Sequence, residues 1–217
     1  MKKNAITMVT IFVMLFAFLP QQTVAQPLFG IRGGLNIANF TGEDSENMEP
    51  VFGLTGGGFM YMPLSSDFAI QPEILYVQRG TLSATSFAGV EGEVTLSLDY
   101  LTVPLQLVYT IDEVINFYAG AGIQFYLTGK AEAAVEGGEF LGLDFNQSGE
   151  ADIPGDNVES PGYFLTFGFG YRSGPLQLDF KYERGLNQVG NFAGSEPEVY
   201  HSDLGILIGY YFNINTW

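Results

Sequence analysis

Leu204-Gly205-Ile206-Leu207-Ile208-Gly209-Tyr210-Tyr211-Phe212 reads as one extended strand. Side chains on a strand alternate between two faces, so Leu204, Ile206, Ile208, Tyr210 and Phe212 share one side. The other side carries Asp203, Gly205, Leu207, Gly209 and Tyr211, which are mostly small or polar. One face is thus continuously apolar and ends in aromatics, which suits a wall standing between lipid and a narrow interior.

The same two-residue period recurs upstream. From Leu28 to Phe40, residues Phe29, Ile31, Leu35 and Ile37 oppose Gly30, Arg32, Gly34 and Asn36. Val51 to Met62 is a second strand, although Gly56-Gly57-Gly58 leaves its faces unassigned. In the third, Phe68, Ile70, Ile74 and Tyr76 alternate with Gln71, Glu73, Val77 and Arg79, interrupted by Pro72 and Leu75. Glu93 to Thr110 is the fourth, with Leu101, Val103, Leu105, Leu107 and Tyr109 together. The fifth sets Phe117, Ala119, Ala121, Ile123, Phe125 and Leu127 against Tyr118, Gly120, Gly122, Gln124 and Tyr126. Tyr163 to Tyr171 and Leu176 to Glu183 give the sixth and seventh, and the quoted stretch is the eighth.

Connections alternate in length. Short ones lie near residues 63, 112 and 174, and longer ones at 41–50, 81–92, 130–159 and 190–198, the third with a small hairpin expected around Phe140 to Phe145. Short turns on one side and long loops on the other are the pattern of transmembrane barrels, and an even strand number returns both ends to the same side. The expected fold is all-β: an eight-stranded antiparallel up-and-down transmembrane β-barrel, its interior filled by side chains. A soluble lipocalin-like barrel would turn the apolar face inward and leave Gly120, Gly122, Gly168, Gly170, Gly205 and Gly209 facing water. That exterior would be poorly solvated and poorly ordered as strand.

Lys2 and Lys3, the apolar run Ala5 to Leu19 and the small residues Thr23-Val24-Ala25 predict a secretory signal peptide over 1–25, leaving 26–217 as the barrel domain. The chain carries −16; its first 25 residues hold two lysines and no acid, so the remainder carries −18. Nucleic acid is excluded as a partner on that charge, since phosphate binding needs Lys and Arg. With no cysteine, thiolate and disulfide chemistry are absent. No later stretch reaches 18 consecutive apolar residues, so any crossing of a membrane must use strands.

Motifs with chemical content are few. His201-Ser202-Asp203 holds the residue types of a catalytic triad. Neighbours on a strand point to opposite faces, however, so His201 and Ser202 cannot readily share a hydrogen bond, and a polar strand rim is the plainer reading. Asp144, Glu150, Asp152, Asp156 and Glu159 are acidic but lack calcium-loop spacing, and read as a solvated loop. No catalytic residue, metal site or cofactor is therefore expected. If Phe29 and Ile31 face lipid, Arg32 points inward, and the same rule places Glu73, Arg79, Asp179, Lys181 and Glu183 inside. Three bases and three acids there would pair to offset their desolvation.

Four segments in order resemble the PorT-type outer-membrane β-barrel family. They are Gly33-Gly34-Leu35-Asn36-Ile37-Ala38-Asn39-Phe40, Gln71-Pro72-Glu73-Ile74-Leu75-Tyr76 through Arg79-Gly80, Leu101-Thr102-Val103-Pro104-Leu105, and Tyr182-Glu183-Arg184-Gly185-Leu186. Leu204, Ile206, Ile208, Tyr210 and Phe212 also resemble the C-terminal signal by which bacterial outer-membrane barrels are recognised for insertion. The resemblance implies the outer membrane of didermic bacteria, with outer-membrane lipid and lipopolysaccharide around the barrel and the barrel assembly machinery as partner during insertion. A founding member is associated with type IX secretion. The expected function is a non-enzymatic structural or surface-interaction role with acidic external loops. An accessory part in a secretion machinery is the alternative, ahead of a lipid-modifying enzyme or a narrow solute channel.

Overall fold

The structure, a computed structural model, describes residues 26–42, 45, 48–87, 90–140, 143–190 and 198–212, with backbone alone at 85–87, 90–91, 135–140 and 143–147. The expected signal segment 1–25 and the tail 213–217 lie outside the described residues. Among the described residues nine strands follow in order: β1 Leu28–Gly42, β2 Met48–Pro63, β3 Phe68–Phe87, β4 Val90–Ile111, β5 Ile115–Phe140, β6 Leu143–Asp152, β7 Gly162–Ser173, β8 Leu176–Gly185 and β9 Val199–Phe212. All pair antiparallel, in the order β4-β3-β2-β1-β9-β8-β7-β5-β6, and β4 also pairs with β5. Eight strands therefore close a ring, and β6 is added to the far end of β5.

Closure is made by the first and last strands. β1 meets β9 from Phe29 opposite Phe212 to Gly42 opposite Val199 without a register break. The quoted stretch is thus central to the ring. The turns at 63–68, 111–115 and 173–176 stand at one end with Leu28 and Phe212, and the long connections stand at the other. Asp112 and Glu113 adopt positive φ (51° and 59°) in the tight β4–β5 turn, where the hairpin twist requires it.

Side-chain exposure follows the alternation. On β9, Leu204, Ile206, Ile208, Tyr210 and Phe212 point outward, whereas Leu207 and Tyr211 are buried inside. The outer surface is a belt of large apolar residues, including Phe29, Ile31, Leu105, Phe117, Phe167 and Phe180. An apolar surface this continuous does not belong in water. Pro72 does not disturb β3, since Gln71, Glu73, Leu75, Val77 and Arg79 all face inward around it. The triglycine in β2 is also resolved: the register with β1 sets Gly56 opposite Gly33 and Gly58 opposite Ile31, both outward-facing.

Inward glycines make room for rings from the neighbouring strand. Tyr118 is paired with Gly168, and Phe164 with Gly122. A Cβ at Gly168 would stand 2.4 Å from Tyr118 Cζ, and one at Gly122 would stand 2.3 Å from Phe164 Cζ. An aromatic lying across a cross-strand glycine fills the narrow interior that eight strands leave.

The structure corrects the expected lengths. The connection expected at 81–92 is mostly strand: β3 runs to Phe87 and β4 starts at Val90, with Phe87 opposite Val90. The expected loop 130–159 contains the outer part of β5 and the whole of β6, paired from Lys130–Asp152 to Phe140–Leu143. A hairpin does lie around Phe140 to Phe145, but it is longer than expected and supplies the ninth strand. Small and polar residues give these stretches weak strand preference on their own. Cross-strand pairing on both sides of β4 overrides it.

The belt yields a first prediction. Ile208 is 61 % exposed at the middle of β9, and arginine at a lipid-facing midplane position costs roughly 2–4 kcal/mol. Ile208→Arg should lower the heat-modifiable folded fraction on gels, while Ile208→Val should leave it unchanged. Equal folding of the two would contradict the outward assignment of this face.

Candidate functional site

The interior is layered along the ring axis. At the turn end, Phe59, Tyr61, Ala69, Val108, Tyr118 and Tyr211 form an apolar floor. The Arg172 guanidinium lies 5.9 Å and 5.4 Å from the ring centroids of Tyr61 and Tyr211. At the hairpin end, Phe40, Leu98, Tyr100, Val158, Val189 and Val199 form an apolar roof. Val158 and Val189 come from the connections after β6 and β8, which fold over the ring and are tied by Glu159 N–H donating to Val189 O (2.9 Å) and Val189 N–H to Val199 O (2.9 Å).

Between floor and roof lie the charges. Arg32 of β1, Glu73 and Arg79 of β3, and Asp179, Lys181 and Glu183 of β8 are all buried. They form two arginine-centred groups because Glu73 and Arg79 are six residues apart, about 20 Å along a strand. In the group nearer the floor, Arg32 Nη1 is 2.7 Å from Glu73 Oε1 and Nη2 is 3.4 Å from Asp179 Oδ2. The guanidinium also lies 4.7 Å from the Phe59 ring centroid. Gln71 donates to Glu73 (2.7 Å), and Gln177 donates to Asp179 (2.6 Å).

In the group nearer the roof, Arg79 Nη2 is 2.5 Å from Glu183 Oε2 and Nε is 2.5 Å from Asp203 Oδ2. Arg79 also donates to Gln124. Lys181 bridges the groups, with Nζ 3.0 Å from Glu183 Oε1 and 4.0 Å from Glu73 Oε2. Four strands are thereby linked through charged atoms that water does not reach. In so low a dielectric the pairing must be close to offset desolvation.

Two members were not among the expected charges. Asp203 and His201 of β9 are both buried inside, not at a polar rim. His201 Nε2 is 3.0 Å from Tyr100 Oη, and its ring meets Phe40 and Tyr100 edge-on. With Asp203 the lumen holds four acids and three bases, so the expected balance of three and three does not hold. The signal was present: Asp203 shares the face of Gly205 and Leu207. Which inward polar residues meet across strands carried no such signal. Asn116 donates to Gln177 (3.0 Å), Tyr211 donates to the same oxygen (2.7 Å), and Thr110 donates to Asn116 (2.8 Å).

Ser202 faces the other way. Its hydroxyl meets Tyr182 Oη outside the ring (3.3 Å), so β9 brings no serine to His201. Among the described residues no three His, Cys, Asp or Glu side chains are grouped closely enough to hold a metal ion. What the described residues make here is ion pairs and hydrogen bonds across strands.

Removing one partner of a buried pair costs ~3–5 kcal/mol, because the other charge stays buried and uncompensated. Arg32→Ala and Glu73→Ala should each lower the urea midpoint of the folded barrel, and Arg32→Lys should fall between Arg32→Ala and wild type. Unchanged midpoints in both alanine variants would count against these pairs having structural weight.

No curated protein matches the chain. Among solved structures, Neisserial surface protein A is similar at 12 % identity with a TM-score of 0.49, covering 87 % of this chain and all of the other. Ail of Yersinia pestis, crystallised with the heparin analogue sucrose octasulfate, is similar at 14 % identity with a TM-score of 0.46 and the same coverage. The translocator domain of the autotransporter NalP from Neisseria meningitidis is similar at 9 % identity with a TM-score of 0.35, covering 96 % of each chain. Residues 22–191 match the family described as outer membrane protein beta-barrel domain. With that match across most of a ring of strands wearing an apolar belt, the chain belongs to the outer membrane protein beta-barrel domain family, a protein of the bacterial outer membrane.

Proposed function

We propose that this chain is a non-enzymatic surface-interaction barrel. Residues 1–25 are a cleaved signal peptide, both ends of the barrel are periplasmic, and the long hairpins are extracellular. One observation carries the reading: the lumen is filled by paired charges and stopped at both ends by apolar clusters. Transport through it and chemistry within it are both disfavoured, which leaves the strands beyond the belt as the part able to meet a partner. The connections 41–50, 81–93, 130–159 and 190–199 hold 16 of the 24 acids and one base, Lys130. The Glu150 carboxylate pairs with Lys130 and holds its ammonium pKa above the usual range.

The resemblance of the four strand motifs to the PorT-type family favours a second reading, an accessory role in protein secretion. Deletion of the chain, scored by retention of secreted proteins in cells, separates the two. A secretion accessory gives retention, whereas a surface-interaction protein leaves secretion intact. Outer leaflet lipid, including lipopolysaccharide, surrounds the belt in either case, and the outward Leu204, Ile206, Ile208, Tyr210 and Phe212 are the surface offered to the assembly machinery.

Two measurements test the first reading. In planar bilayers the purified barrel should give no steady conductance; ohmic channels would show that the roof and floor do not seal. An external partner should be basic or bridged by divalent cations, with affinity falling as salt rises, since exposed charges are screened over ~10 Å at 0.1 M. A partner indifferent to salt would contradict the electrostatic part of the reading.

A further inference from the structure

β6 has one paired edge and one open edge. It pairs with β5 from Lys130–Asp152 to Phe140–Leu143, and no other described strand pairs with it. Its backbone N–H and C=O groups on the far side therefore stand in line without a partner among the described strands, an arrangement that can template another chain. Proteins usually blunt such an edge with charged side chains, lysine above all, or with proline or a bulge, and the charges on this one are all acidic. Leu143-Asp144-Phe145-Asn146-Gln147-Ser148-Gly149-Glu150-Ala151-Asp152 contains neither lysine nor proline. Its pairing with β5 keeps one register from Gly137–Phe145 to Lys130–Asp152 and shifts only near the tip.

Charge narrows what could fit. Residues 82–96 and 130–152, which build the sheet beyond the belt, hold eight acids and one base, Lys130. That base is already engaged by Glu150. A second copy laid along β6 would set one acidic sheet beside another, and like charges facing across strands are destabilising. A strand with basic residues would meet complementary charge. Ser148, Gly149 and Glu150 are exposed, and a Cβ built at Gly149 meets nothing within 4 Å, so the approach is open.

We propose that the free edge of β6 is a strand-addition site for an extended, basic segment of another protein. Main-chain hydrogen bonds to residues 143–152 would supply affinity, and the acidic sheet would supply selectivity. The proposal rests on the surface-interaction reading above and names its partner class.

The test uses the full barrel in lipid nanodiscs and a synthetic ten-residue peptide alternating lysine with valine, equal in length to β6. Two control peptides carry a central proline or glutamate in place of lysine. The basic peptide should bind and slow amide exchange across residues 143–152. The proline peptide should bind at least roughly tenfold more weakly, because it lacks a ladder donor and cannot lie flat along an edge. The glutamate peptide should not bind. Equal binding of the proline peptide would reduce the effect to charge attraction and overturn the strand geometry, as would protection elsewhere than 143–152.

Since the chain has no cysteine, Gly149→Cys provides a single label site, with folding checked by heat-modifiability. Labelling of intact cells by a membrane-impermeant maleimide is expected. A barrel unlabelled on cells overturns the surface reading and this inference together, whereas a labelled barrel whose β6 gains no protection overturns the inference alone. Disulfide dimers of Gly149→Cys in nanodiscs that persist in excess basic peptide would assign the edge to a second copy and overturn it too.

Discussion

Everything in this chain depends on the pairing of β1 with β9. In a bilayer each backbone N–H and C=O must find its partner inside the protein, so a sheet can cross only when it has no open edge at membrane depth. The uninterrupted register from Phe29–Phe212 to Gly42–Val199 removes that edge. Once the ring is closed, the period of two divides every strand between lipid and lumen. The belt, the aromatic–glycine pairs and the charged layer are consequences of that division.

The same requirement lapses beyond the belt, where water can satisfy the backbone. There β5 continues past its pairing with β7, which ends at Gln124–Gly162, and takes β6 as its new neighbour from Lys130 onward. An edge that would be prohibitive in hydrocarbon is tolerated here. The open side of β6 and the closed ring are therefore one rule applied in two solvents.

What the sequence made legible follows from these constraints. Strands in the belt were readable because lipid demands large apolar side chains at every second residue, as at Leu204, Ile206 and Ile208. Inward placement of Arg32, Glu73 and Lys181 followed from their neighbours' faces. The outer parts of β3 and β5 and the whole of β6 were not readable, since residues such as Ser83, Ala84, Ala133 and Ala134 face water or one another and need no period. His201 and Asp203 fell between the cases. Their face was apparent, but whether they lay below a roof was not, because Val158 and Val189 arrive from distant connections. Pairing between strands such as Arg79 with Glu183 and Asp203 depends on ring closure and shear, which no local pattern records.

The charged layer poses a question of purpose, because a buried ion network is often no more stabilising than apolar residues of similar volume. Register offers an answer. A one-residue slip in a strand turns its whole set of side chains to the opposite face. For β8 that slip would drive Asp179, Lys181 and Glu183 into lipid, and for β1 it would expose Arg32, where each Arg or Lys at the midplane costs roughly 2–4 kcal/mol. An all-apolar lumen would impose no such cost, and the glycine-rich strands around it, with small residues on one face, would discriminate weakly between registers. On this argument the charges stabilise one alignment of the ring over its neighbours more than they stabilise the folded state over the unfolded one. Their close pairing across β1, β3, β8 and β9 is what allows so narrow an interior to hold them.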